Sequence, residues 1–152
     1  SSRVGWNKAL SACYTLRELN PSVTYLAYNE EVTHENLEQF VTSYDCIIDC
    51  SDNPRTRYLI NDACVLFGKP LVSGSAVGTE GQLTVYNSRN SKGSPCYRCL
   101  YPRPSATGGC RSCADAGVLG PVPGLIGILQ SMEVLKLLSG QGELMDRRLL
   151  MY

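Results

Sequence analysis

Asp45-Cys46-Ile47-Ile48-Asp49-Cys50-Ser51-Asp52-Asn53-Pro54-Arg55-Thr56-Arg57 is the stretch that decides the fold. Its apolar run, Cys46-Ile47-Ile48, ends in a polar cluster that turns through Pro54 into a helical pattern over 56–67. This is how a buried parallel strand hands its polar end to the top of a sheet. In open α/β sheets ligands bind outside the carboxyl ends of the strands. Asp49, Asp52 and Asn53 are therefore expected at a ligand site, with Cys46 to Asp49 in a central strand. A plainer reading has Asp52 or Asn53 only capping the helix, with Pro54 in its first turn. The pairing of two carboxylates with Arg57, one helical turn later, favours the ligand site. Carboxylates can carry Mg²⁺ on a nucleotide, and a guanidinium can pair with phosphate.

The rest of the composition narrows the function classes. The chain has 152 residues, enough for one domain with a core. Lys plus Arg number 14 and Asp plus Glu number 14, so no net charge marks a nucleic-acid or anionic-membrane partner. No segment approaches about 20 uninterrupted apolar residues, so no membrane span is expected. No signal peptide is expected at the start of this sequence. Four of the eight cysteines fall in two Cys-x-x-Cys pairs. In a chain this long that reads as metal or sulfur chemistry in a reducing compartment, and a cytoplasmic location is expected.

Outward from the central stretch, Val4, Ala9, Leu10, Ala12, Cys13, Leu16 and Leu19 have helical spacing, and Asn20-Pro21 stops the helix. Lys8 lies in its first turn, where spacing alone makes it a solvated lysine. The alternation over 23–32 predicts a strand. Thr33-x-x-Asn36 opens a short helix in the manner of a capping box. His34, in that turn, reads as a loop residue. After the helix over 55–67 come a strand over 70–76, a turn over 78–81 and a strand over 82–86, the two strands forming an antiparallel hairpin around the turn. The expected fold class is α/β: a Rossmann-like, mostly parallel sheet flanked by helices, with an irregular cysteine-rich crossover loop over 87–120. A long apolar helix over 121–138 follows, closed by Gly140, and 147–151 is a last strand-like piece.

Cys96-Tyr97-Arg98-Cys99 and Cys110-Arg111-Ser112-Cys113 have the spacing of a four-thiolate zinc site. The alternatives are four reduced thiols without a metal, and a separation of roles in which Cys113 is a nucleophile. Cys113 precedes a glycine-containing segment that feeds a helix, and a helix N-terminus favours the thiolate.

Several runs together resemble the MoeB/ThiF family of ubiquitin-like-protein adenylating enzymes. They are Val4-Gly5-x-x-Lys8-Ala9, Leu19-Asn20-Pro21, Asp49-Cys50-Ser51-Asp52-Asn53, 56–64 (TRYLINDAC), 68–76 (GKPLVSGSA), Glu80-Gly81-Gln82-Leu83-Thr84, Cys96-Tyr97-Arg98-Cys99, 113–120 (CADAGVLG) and Glu133-Val134-Leu135-Lys136. They follow in family order over nearly the whole chain. The nearest branch is the eukaryotic one of molybdopterin-synthase sulfurylases and ubiquitin-related-modifier activators.

The resemblance implies ATP, Mg²⁺ and Zn²⁺ as cofactors and a ubiquitin-like or sulfur-carrier protein with a Gly-Gly C-terminus as partner, acting in a homodimer without nucleic acid or membrane. It implies that the carrier's C-terminal carboxylate is adenylated and then passed to a sulfur nucleophile. By residue, it gives Lys8 contact with the ATP phosphates and places Asp52 beside the nucleotide and Mg²⁺. It sets Asn53 and Arg57 next to the adenylate, makes Cys96 and Cys99 half of the zinc site, and has Cys113 receive the activated carrier. The catalytic set is thus Cys113, Asp52 and Arg57.

The family's opening strand with its Gly-rich nucleotide turn is not seen, nor is its second C-terminal Cys-x-x-Cys. Residues 1–152 are accordingly expected to be a partial ThiF/MoeB-like adenylating domain, an interior fragment. Cys110 has no counterpart in the family pattern. The competing function class is a non-catalytic scaffold module that binds a ubiquitin-like partner.

Overall fold

The structure is a computed structural model that describes residues 3–88, 93–103 and 117–152. It divides into two compact units, Ser1–Val32 and Thr33–Tyr152.

The first unit is built on helix α1, Lys8–Leu19. Asn7 caps it, its Oδ1 accepting from the amides of Ala9 at 2.9 Å and Leu10 at 3.2 Å. Asn20, in extended conformation, ends it before Pro21. Arg3 is folded back onto the helix, donating to Ser11 O and Thr15 Oγ1. The expected strand over 23–32 does not form: that segment carries no ladder. Its alternation survives as partial burial, with Leu26 and Val23 left exposed. Without a neighbour to pair with, alternating side chains do not make a strand.

The second unit begins with α2, Leu37–Thr42, entered through a turn in which Asn36 Oδ1 accepts from the Thr33 amide at 2.8 Å. Then come β1, Ile47–Asp49; α3, Pro54–Leu66; β2, Leu71–Val77; and β3, Glu80–Tyr86. They are followed by the short α4, Tyr97–Leu100; α5, Pro121–Ser139; and β4, Leu150–Met151. The sheet order is β1-β2-β3-β4. β1 and β2 are parallel, with Ile48 opposite Val72, while β2–β3 and β3–β4 are antiparallel. Helices flank the sheet as an α/β fold requires. Parallel pairing among the described strands is confined to β1–β2, and the hairpin turns at Gly78, whose φ is +59°. β1 is therefore an edge strand of this sheet and not a central one, and Ile48 is 45% exposed. A parallel strand is buried on both faces only where neighbours and helices cover it.

One sheet face carries Val72, Leu83 and Val85, on which Leu129, Val134, Met145 and Leu150 pack. α5 presents Val122, Ile126, Gln130 and Glu133 to this side, a stripe with helical spacing. It comes so close that a Cβ at Gly74 would stand 2.5 Å from Gln130 Cδ, and one at Gly81 would stand 2.7 Å from Ile126 Cδ1. The two glycines are thus required by the approach of the helix. α5 is also long and apolar enough to cross a membrane by those measures alone. Its buried Gln130 and Glu133, both hydrogen-bonded to the rest of the fold, are features of a helix docked on a sheet. It ends at Gly140, left-handed at φ +68°.

Candidate active site

The polar end of β1 folds over the first turn of α3. Asn53 is the N-cap, its Oδ1 accepting from the Thr56 amide at 2.9 Å, and Pro54 occupies the first helical turn. So the capping reading and the ligand reading divide the cluster between them: Asn53 caps, and Asp52 stays exposed at the rim of a cleft.

Asp49 behaves differently from the expectation of an open ligand-site carboxylate. It is fully buried, its Oδ1 accepting from the Ser51 amide at 2.8 Å and its Oδ2 from Arg57 Nε at 3.1 Å. Arg57 also donates to Ser51 O at 2.9 Å. The guanidinium therefore closes the loop 49–52 onto α3, while its side chain still lines the cleft. Ser51 Oγ is buried with no hydrogen-bond partner among the described residues. An orphan hydroxyl in such a loop is a group that a bound ligand can satisfy.

From beneath, Gln130 of α5 reaches between the strands. Its Nε2 donates to Asp49 O at 2.9 Å and Val72 O at 3.4 Å, and its Oε1 accepts from Cys50 Sγ at 3.7 Å. Burial first, and then the Asp49 charge, push the Cys50 thiol up; the same causes raise Cys64 to about 12. Cys64 is a buried packing thiol, whereas Cys50 is exposed at the end of β1.

The cleft holds about 420 Å³. Its floor is the sheet face opposite α5, where Ser73 faces Thr84 and Ser75 faces Gln82 across the hairpin. One side carries Asp52, Asn53 and Arg57, and the wall is aromatic: Tyr58, Tyr86, Tyr97 and Tyr101. Tyr97 stands edge-on to Tyr58 at 4.8 Å and to Tyr86 at 6.0 Å, and the Arg57 guanidinium lies 6.0 Å from its ring centre. Tyr58 Oη donates to Tyr101 O at 2.8 Å. A cleft with an acidic rim, a guanidinium, a hydroxyl-bearing floor and aromatic walls suits a polar ligand with charged and planar parts.

Tyr97 belongs to the cysteine turn, so the wall and the turn are one structure. Cys96 and Cys99 lie with their sulfurs 3.6 Å apart. Thiolates on a tetrahedral zinc with bonds of about 2.3 Å stand about 3.8 Å apart, so this pair fits one edge of such a site. Burial opposes ionisation of Cys96, yet hydrogen bonds from Cys99, the Arg98 backbone and Asn61 together pull its thiol below the ordinary value. Among the described residues no group of three or more potential metal ligands converges. Cys110 and Cys113 lie outside the described residues, so neither the four-cysteine site nor the nucleophile role of Cys113 is addressed by the geometry.

Lys8 stands exposed in the first turn of α1, within the first unit, beside Arg3 and Trp6. Asp52, Asn53 and Arg57 are brought together in the second unit. Gln130, Ser51 and the tyrosine wall were not singled out from the sequence. A glutamine within the apolar stripe of α5 and tyrosines within and just after a Cys-x-x-Cys are the signals that point to them.

Comparison with known proteins bears on the fold and the family. Solved structures of E. coli MccB share the fold: the one with ATP superposes with a TM-score of 0.68 at 19% identity, over 94% of this chain and 44% of that one. At the level of sequence the chain is 53% identical over 151 residues to the adenylyltransferase and sulfurtransferase MOCS3 of Xenopus laevis, covering 99% of this chain and 33% of the relative. It is 48% identical over 149 residues to MOCS3 of Arabidopsis thaliana, covering 98% and 32%. With uba4 of Emericella nidulans it shares 49% over 148 residues, 94% of this chain and 31% of that protein. The chain thus spans about a third of the length of these relatives. The ThiF family model matches residues 1–152. Strand end, capped helix, glycine-lined hairpin and cysteine turn all fall inside that match, and the chain belongs to the ThiF family.

Proposed function

We propose that residues 1–152 form part of an adenylating enzyme that uses ATP to activate the C-terminal carboxylate of a ubiquitin-like or sulfur-carrier protein ending in Gly-Gly, and passes it to a sulfur nucleophile. The observation that carries this reading is the delivery of Asp52, Asn53 and Arg57 to one cleft from the end of β1 and the start of α3. Close similarity to proteins named adenylyltransferase and sulfurtransferase supports it.

In this reading Asp52, exposed at the cleft rim, binds on the phosphate side of the nucleotide. Mg²⁺, when bound there, offsets phosphate charge. Arg57 is aimed by its bond to Asp49 and faces the adenylate, where a fixed cation stabilises charge developing at the α-phosphate. Asn53 spends its oxygen on the helix cap and has its amide group toward Asp52. For Lys8, contact with the ATP phosphates rests on the family resemblance of its run Val4-Gly5-x-x-Lys8-Ala9. The carrier's carboxylate oxygen attacks the α-phosphorus as the bond to pyrophosphate breaks. The thiolate of Cys113 then attacks the acyl carbon, and AMP leaves. A tail without side chains suits a cleft walled by tyrosines. Cys96 and Cys99 would hold Zn²⁺ as two of its ligands, and the metal would supply structural closure of the cysteine turn. Assembly as a homodimer and a cytoplasmic setting complete the proposal.

One observation favours the scaffold alternative: Arg57 is already neutralised by a buried carboxylate. Pyrophosphate exchange by the full chain separates the two. Exchange that requires a Gly-Gly-ended carrier supports the enzyme. Carrier binding with no exchange supports the scaffold.

A further inference from the structure

We infer that Asn61 is a positioning residue for the cysteine turn, holding Cys96 and Cys99 at the spacing that a metal requires. The inference rests on the reading of that pair as metal ligands. Asn61 lies in the middle of α3 and is 1% exposed. The backbone of a helix interior asks nothing of its carboxamide, and a buried carboxamide is costly unless it is hydrogen-bonded. Its Oδ1 accepts from the Tyr97 amide at 2.7 Å.

Tyr97 is the first residue of α4, and a first-turn amide has no partner within its own helix. An N-cap side chain reaches the second or third helical amide, so Cys96 in the N-cap position leaves the Tyr97 amide open. Asn61 supplies its partner from another helix. The Cys96 sulfur lies 3.6 Å from that of Cys99, and the Cys99 amide closes the turn on Cys96 O at 3.0 Å. The same bond sets the Tyr97 ring into the cleft wall, edge-on to Tyr58. A second tie between the helices, the bidentate pair of Arg98 with Asp62 at 2.6 and 2.7 Å, is roughly half exposed on both sides and lies outside the turn's backbone. It contributes less to the positions of the sulfurs.

The test is metal affinity of the full chain, measured by competition for Zn²⁺ against a chromogenic chelator, with Co²⁺ substitution reporting thiolate coordination. Loss of an outer partner of a metal ligand weakens binding roughly 10- to 100-fold. Asn61→Leu is expected to fall in that range with a weakened Co²⁺–thiolate band, and Asp62→Asn, which keeps an oxygen where Asp62 Oδ1 accepts from Asn61 Nδ2 at 3.2 Å, is expected to stay within about threefold of wild type. A purely structural Asn61 lowers the melting temperature but leaves metal affinity of the folded variant unchanged, and that result overturns the inference. If Asn61→Leu does not fold, Asn61→Ser carries the same comparison, with tenfold weakening in support and wild-type affinity against. A wild-type chain that takes up no Zn²⁺ overturns the metal reading itself and the inference with it. A zinc-loaded wild type with unaffected Asn61 variants overturns the inference alone.

Discussion

Arg57 Nε lies 3.1 Å from Oδ2 of Asp49, and Asp49 is fully buried. The pair joins the last residue of β1 to the first full turn of α3 and holds the loop between them. Removing one partner of a buried pair leaves the other charged and desolvated, which costs about 3–5 kcal/mol. Asp49→Ala is therefore expected to lower unfolding free energy by that order in urea denaturation. Arg57→Lys keeps the charge but loses the second bond to Ser51 O, and is expected to cost less stability while impairing adenylation. Equal stability of Asp49→Ala and wild type would show that the pair does not organise the loop.

The approach of α5 gives a second expectation. A Cβ at Gly74 meets Gln130 at 2.5 Å. Gly74→Ala should destabilise by about 1–3 kcal/mol through overpacking. Because the two positions touch, Gly74→Ala with Gln130→Ala should depart from additivity by about 0.5–3 kcal/mol, the clash being absent from the double variant. Strict additivity in a chemical-denaturation cycle would place the strain elsewhere.

Two levels of structure differ in how far the sequence discloses them. The segment 45–57 reads correctly as strand, cap and helix because its signals are local: Asn53 beside Pro54, then apolar spacing. The helix over 121–138 and its Gly140 stop are legible for the same reason. The segment 23–32 misleads because alternation specifies which side chains can be buried, not whether a neighbouring strand exists. The edge position of β1 has the same origin, since pairing is a property of the whole sheet. Asp49 and Arg57 were both expected near a ligand. Their mutual neutralisation depends on the angle at which α3 leaves the strand, which no spacing encodes. Gln130 is the intermediate case: a lone glutamine in the stripe of Val122 and Ile126 announces a buried polar contact, but its partners, Asp49 O and Val72 O, lie far off in sequence.

Acidity gives a third expectation. Hydrogen bonds from Arg98, ahead of the opposing effect of burial, hold the Asp62 carboxyl below its usual range. A carboxyl depressed in the folded state contributes stability above its unfolded value, and that contribution is lost as pH falls through the folded value. The stability gap between wild type and Asp62→Asn should thus be open at neutral pH and close on acidification below the ordinary aspartate value of about 4. The pair is exposed, so the gap should be small. A gap that widens in acid, followed by thermal melts across pH, would contradict the assignment.

The most direct measurement of the central claim is carrier-dependent ATP–pyrophosphate exchange by the complete enzyme of which residues 1–152 are proposed to form part, comparing wild type with Asp52→Ala. Asp52 is exposed, so its replacement should change unfolding free energy by no more than about 0.5 kcal/mol, and any loss of exchange reports chemistry. The account predicts exchange in wild type only when a Gly-Gly-ended carrier is present, and none above background in Asp52→Ala. Exchange at the wild-type rate in Asp52→Ala would contradict it.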